Sequence, residues 1–140
     1  MVRLSVALLL VLAACGEKKG GAPHATTVPA IGGMPALTGM TTSDPRGQIF
    51  LEKGCPQCHS ISTFGIKSPR EMGPDLTNAY ADVQTRFGLT LNEFLAAPTG
   101  TMQMVLGSMI KLTPQERDSI IHILTELHEE HGEREEGKHQ

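Results

Sequence analysis

The sequence has no tryptophan, one tyrosine and only four phenylalanines in 140 residues. All five aromatics, Phe50, Phe64, Tyr80, Phe87 and Phe94, fall in one stretch, so a packed core is expected there. No apolar run approaches the roughly 20 residues of a spanning helix, which excludes a chain built of such helices. There is no basic surplus either. Lys and Arg number 12 against 15 Asp and Glu, a net charge of −3, which argues against a nucleic-acid binder. Missing too are a phosphate loop, an acid/base pair and a nucleophile with a partner, so no enzymatic activity is expected. The length allows one small domain with extensions.

The charge that is present is uneven. From Glu126 to Gln140 there are six acids and two bases, so the acidic balance belongs to the C-terminal end. Residues 128–140 read as a solvated, disordered acidic tail. His128, His131 and His139 within it are scattered, as in many such tails, and are not taken as a metal site. Over residues 44–125 eight acids face seven bases, so no strongly charged docking face is legible.

The N-terminal end has a different character. Arg3 precedes an apolar run from Leu4 to Leu12, too short to span a bilayer and suited to a signal-peptide core. Leu12-Ala13-Ala14-Cys15 then resembles the lipobox of bacterial lipoproteins. That resemblance implies lipidation of Cys15, removal of residues 1–14, and a membrane-anchored protein on the periplasmic or other extracytoplasmic side. Residues 15–43 read as the anchor and a flexible linker, since residues 16–43 hold six Gly and three Pro with almost no periodicity.

Residues 44–127 carry the domain, and no strand alternation is visible in them. Asp44-Pro45 predicts an N-cap and a helix running through Ile49, Phe50 and Lys53 toward Cys55. A second helix is expected over residues 78–87, stopped by Gly88. Thr90 with Glu93 forms a capping box for a third, which ends before Pro98. Thr113-Pro114-Gln115-Glu116 opens the last, whose apolar stripe is Ile120, Ile121, Ile123, Leu124 and Leu127. Residues 60–77 and 98–112 are expected to be loops.

One motif carries chemistry. Cys55-Pro56-Gln57-Cys58-His59 is a C-x-x-C-H, the attachment signature of a c-type haem. Cysteines three apart can share a helical face, so both thiols can add to the two vinyl groups on one porphyrin edge. The adjacent His is then placed to ligate the iron. Zinc needs four ligands, and this cluster supplies three. A thioredoxin-like redox pair needs a βαβ context, which is absent. One covalently bound haem c is therefore the expected cofactor.

With that motif in place, residues 44–127 resemble a class I cytochrome c. Arg46-Gly47-Gln48-Ile49-Phe50 is similar to the family's first helix, whose Gly and Phe pack against the last. Gly73-Pro74-Asp75-Leu76 is similar to its G-P-x-L turn. The resemblance implies an all-α fold of three to four helices around the haem. It implies that the Pro74 carbonyl orients His59, the axial ligand. It also implies a methionine as the sixth ligand, from the loop before the last helix. Met104 fits the family spacing best, with Met102 and then Met109 as alternatives.

The expected activity is transfer of single electrons in a bacterial respiratory or photosynthetic chain, with redox proteins or membrane complexes as partners. Two alternatives stay open: a fixed haem subunit of a larger membrane complex, and a haem-based sensor with a displaceable sixth ligand. Phe50, Phe64, Tyr80, Phe87, Leu95 and Leu124 are expected to shield the haem.

Overall fold

The computed structural model describes residues 25–137, with side chains through residue 131. Helices dominate, but the described chain begins with a β-hairpin. Strands β1 (Thr26–Val28) and β2 (Leu37–Met40) pair antiparallel, with Thr26 opposite Met40 and Val28 opposite Leu37. The hairpin closes through Gly32 and Gly33, both at positive φ, where the Met34 amide donates to the Ile31 carbonyl at 2.9 Å. Positive φ at both central residues is what a tight two-residue hairpin needs, and Gly-Gly supplies it. Val28 has no exposed surface, and Leu37 and Met40 pack on the same core. Residues 25–43 are thus folded, and the expectation of a flexible linker through residue 43 is corrected for that part. Gly32 and Gly33, which read there as disorder, form the hairpin turn instead.

Asp44 caps the next turn by accepting from the Arg46 amide at 2.8 Å, and Pro45 opens a 3₁₀ turn over Pro45–Gly47. Helix α1 (Gln48–Glu52) follows directly. It stops short of Cys55 because Gly54 turns left-handed at φ 79°. The motif cysteines therefore sit on a separate 3₁₀ turn, Cys55–Gln57. Gly47 lies under Thr42 and Ile66: a Cβ there would collide with the Thr42 hydroxyl and stand 3.2 Å from Ile66 Cδ1.

Helix α2 (Ala79–Phe87) follows a 3₁₀ turn, Leu76–Asn78, and ends at left-handed Gly88, as expected. Helix α3 (Leu91–Ala96) starts at Thr90 with the full capping box. The 98–112 segment is only partly loop. Thr101–Met104 forms a short helix, α4, that widens into a π turn over Val105–Met109. Helix α5 (Pro114–Gly137) opens on reciprocal bonds between Thr113 and Glu116, at 2.9 and 3.2 Å.

Helix α5 does not give way to a disordered tail at residue 128. Its backbone is helical to Gly137. Three contacts hold its further turns. His128 stacks on Tyr80 with ring centres 4.5 Å apart, His131 Nε2 lies 3.0 Å from Thr63 Oγ1, and Glu130 meets Arg46 at 2.7 Å. Arg46 also pairs with Asp44 at 2.8 Å and rests over the Phe64 ring. Its guanidinium holds the Asp44 carboxyl below the usual range. A lowered folded value means that this contribution to stability is present above the unfolded pKa and is lost as pH falls through the folded one.

The correction at the hairpin is directly testable. Val28→Ala is expected to lower unfolding free energy by about 2 kcal/mol, since it removes two buried methyl groups from a packed site. A residue in a flexible linker would change the denaturation midpoint by nothing measurable.

Candidate functional site

The 3₁₀ turn at Cys55 forms one side of a cavity of about 300 Å³. The His59 and Cys58 amides both donate to the Cys55 carbonyl, at 3.0 and 3.1 Å, and this tight turn brings Cys55, Cys58 and His59 to the same wall. Gly73-Pro74 folds back onto it. The Gly73 amide donates to the Cys58 carbonyl at 2.9 Å, and the Leu76 amide to the Ser60 carbonyl at 2.9 Å. Asp75 locks the return by accepting from the Ser62 amide and hydroxyl and from the Thr77 amide. Burial alone would raise the Asp75 pKa, but these hydrogen bonds outweigh it and hold the carboxyl below its ordinary value.

The result is a fixed imidazole. His59 Nδ1 lies 2.7 Å from the Pro74 carbonyl oxygen. A carbonyl only accepts, so Nδ1 carries the proton and the Nε2 lone pair of the neutral ring is left for another partner. Gly73 makes room: a Cβ there would stand 2.2 Å from His59 Cε1.

The rest of the wall is apolar. Phe50, Leu95, Ile120 and Leu124 come from the helices, and Val105, Leu106 and Ile110 from the segment before α5. Ile31 enters from the hairpin, where no site residue was expected. The sequence signal for it was the Gly-Gly turn between apolar residues, outweighed there by the surrounding glycine and proline. Phe64 is buried in the core but does not line the cavity, and Tyr80 and Phe87 stack on His128 and Phe94 instead.

The three candidate methionines separate, although Met72, not among them, also lines the cavity. Met102 lines the cavity and packs against the core. Met104, favoured on spacing, is 55% exposed and is not part of the wall. The reason is local structure: the segment is helical, and residues two apart lie about 200° apart around a helix, so one face cannot present both. Met109 lies against Gly32. Cys15 falls outside the described residues.

Apolar surroundings push the Cys55 thiol up to about 12, although the residue keeps some surface where it lines the cavity. A nucleophilic redox cysteine has a lowered pKa, so the first cysteine of this pair is poorly suited to thiol–disulfide exchange. Among the described residues no three His, Cys, Asp or Glu side chains form a group fit for a bare metal ion. No protein-family model, curated protein or solved structure matches this chain.

Gly73→Ala is expected to force the imidazole off the Pro74 carbonyl. The hydrogen-bonded Nδ1 proton signal of His59, expected in the unaltered protein, should vanish from the NMR spectrum, with a stability loss of about 1–3 kcal/mol. Survival of that proton would mean that the ring tolerates the methyl group.

Proposed function

We propose that the cavity holds one haem c, bound through thioethers from Cys55 and Cys58, and that the protein is a single-electron carrier. The observation that carries this reading is the His59 Nδ1 to Pro74 carbonyl bond, made on the same wall as both motif thiols. The donor set fits the group: two thiols beside one apolar cavity, an imidazole with Nε2 free, and the Met102 thioether also on the wall. Bound there, the haem supplies reversible ferric/ferrous exchange. Pro74 keeps His59 in one tautomer and raises its basicity as a ligand. Phe50, Leu95 and Leu124 would exclude water, and a thioether ligand beside the imidazole would favour the reduced iron. In this reading Met102 would supply that thioether, in place of Met104.

The lipobox resemblance at Cys15 supports export and a lipid anchor on the extracytoplasmic side. The hairpin changes the consequence of that anchor. The first described strand begins at Thr26, so residues 16–25 separate it from Cys15 and can span at most about 35 Å. Such a tether favours redox partners at the membrane, whether the protein exchanges between them or stays in one complex.

Purified full-length protein should give a c-type reduced-minus-oxidised spectrum, a pyridine haemochrome of one haem per chain, and a weak far-red Met–ferric band. Met102→Ala should abolish that band and lower the reduction potential, while Met104→Ala leaves both unchanged. The reverse pattern would return the ligand to Met104. Absence of covalent haem would overturn the reading.

A Cys55→Ala/Cys58→Ala variant should lose most native helicity and cooperative melting, because much of the domain's apolar wall faces the cavity. Retention of both in circular dichroism would show a core that stands without the group.

A further inference from the structure

The turn between the two motif cysteines is gripped by a segment that electron transfer does not require. Gln57 has no exposed surface. Its Nε2 donates to the Pro29 and Pro35 carbonyls, both at 2.9 Å, and its Oε1 accepts from Arg70 Nη1. Both amide hydrogens are thus donated to hairpin carbonyls that flank its tip. Burial makes the loss of either bond costly. Ile31 packs over Gly54, 3.6 Å from where a Cβ would stand, and continues into the cavity wall. Beyond it Met109 Sδ lies 2.9 Å from the Cβ position of Gly32. The hairpin tip therefore touches both sides of the cavity, the cysteine turn and the segment that follows Met102.

We propose that residues 29–35 are a cover over the cavity, latched by Gln57, and that Gln57 and Ile31 are positioning residues that set how freely water and small iron ligands enter. The proposal rests on the haem reading above. The hairpin stem is held independently by Val28, which is fully buried. Gly32 and Gly33 at the tip are exposed. The tip can therefore lift by breaking the Gln57 bonds and withdrawing Ile31, with the helices intact. Such local opening costs less than global unfolding.

The test uses full-length, haem-loaded protein with Gln57→Glu and Ile31→Ala. Gln57→Glu keeps side-chain length and the Arg70 contact but aims a carboxylate oxygen at two carbonyls. Two quantities are read: hydrogen exchange of the amides in 29–36, and the rate of cyanide uptake by the ferric protein. Gln57→Glu should raise both by about tenfold or more, the effect of losing buried hydrogen bonds. Ile31→Ala should raise cyanide uptake with a smaller change in tip exchange. Far-ultraviolet circular dichroism separates these effects from misfolding. Faster tip exchange with unchanged uptake in both variants would overturn the cover, and unchanged exchange in Gln57→Glu would overturn the latch. A wild-type protein without covalent haem would overturn the functional reading, while the exchange comparison would still decide the latch.

Discussion

The hydrogen bond from His59 Nδ1 to the Pro74 carbonyl is the constraint around which the site is arranged. It fixes which imidazole nitrogen keeps its proton and leaves the other with a lone pair. Three separate features make it possible. Residue 73 lacks a Cβ where one would collide with the ring. The Gly73 and Leu76 amides tie the returning chain to the Cys58 and Ser60 carbonyls. Asp75 then caps the turn into α2 and binds Ser62 at the same time. One short segment thus ends a loop, starts a helix and orients an imidazole. Its geometry is set by backbone hydrogen bonds, which few substitutions can replace.

The cavity has a second consequence, for stability. Phe50, Ile120 and Leu124 belong both to the hydrophobic core and to the cavity wall. Phe50 is fully buried by the chain itself, and Ile120 and Leu124 are nearly so. A small domain has little apolar area to spare, and each buried aromatic or aliphatic side chain contributes about 1.5–3 kcal/mol. Several such side chains amount to much of a typical net stability of roughly 5–15 kcal/mol. The hairpin contributes on the same terms, since Val28 and Ile31 add apolar cover that residues 44–127 lack.

How much was legible in the sequence follows from the range of the forces involved. Caps and stops depend on neighbouring residues, so Thr90 with Glu93, Thr113 with Glu116, and Gly88 marked real helix boundaries. The C-x-x-C-H and Gly73-Pro74 were readable because each is a local turn, and their meeting was available only through a family resemblance. Contacts distant in sequence were not readable. The stack of His128 on Tyr80 and the pair of Arg46 with Glu130 carry α5 through a stretch whose composition suggests disorder. Glycine and proline in residues 25–43 were counted as composition, although Gly32-Gly33 between Ile31 and Met34 is a hairpin signal by position. Met102 and Met104 could not be ranked by spacing alone, because the helical turn that sends them to opposite sides was read as loop.

The hairpin joins the two ends of the functional reading. At its tip it bonds to Gln57, between Cys55 and Cys58, and touches Met109, in the segment after Met102. At its start, Thr26 opens the first strand of the described residues. Strand β1 pairs with β2, which leads on into Asp44 and α1. The stem is fixed because Val28 is buried in the core, whereas the tip is held by the Gln57 bonds and by the packing of Ile31 and Met109. A fixed stem and a latched tip allow the cover to move while the stem stays in place. A wholly flexible linker could do neither, so its glycines and prolines serve a folded segment here.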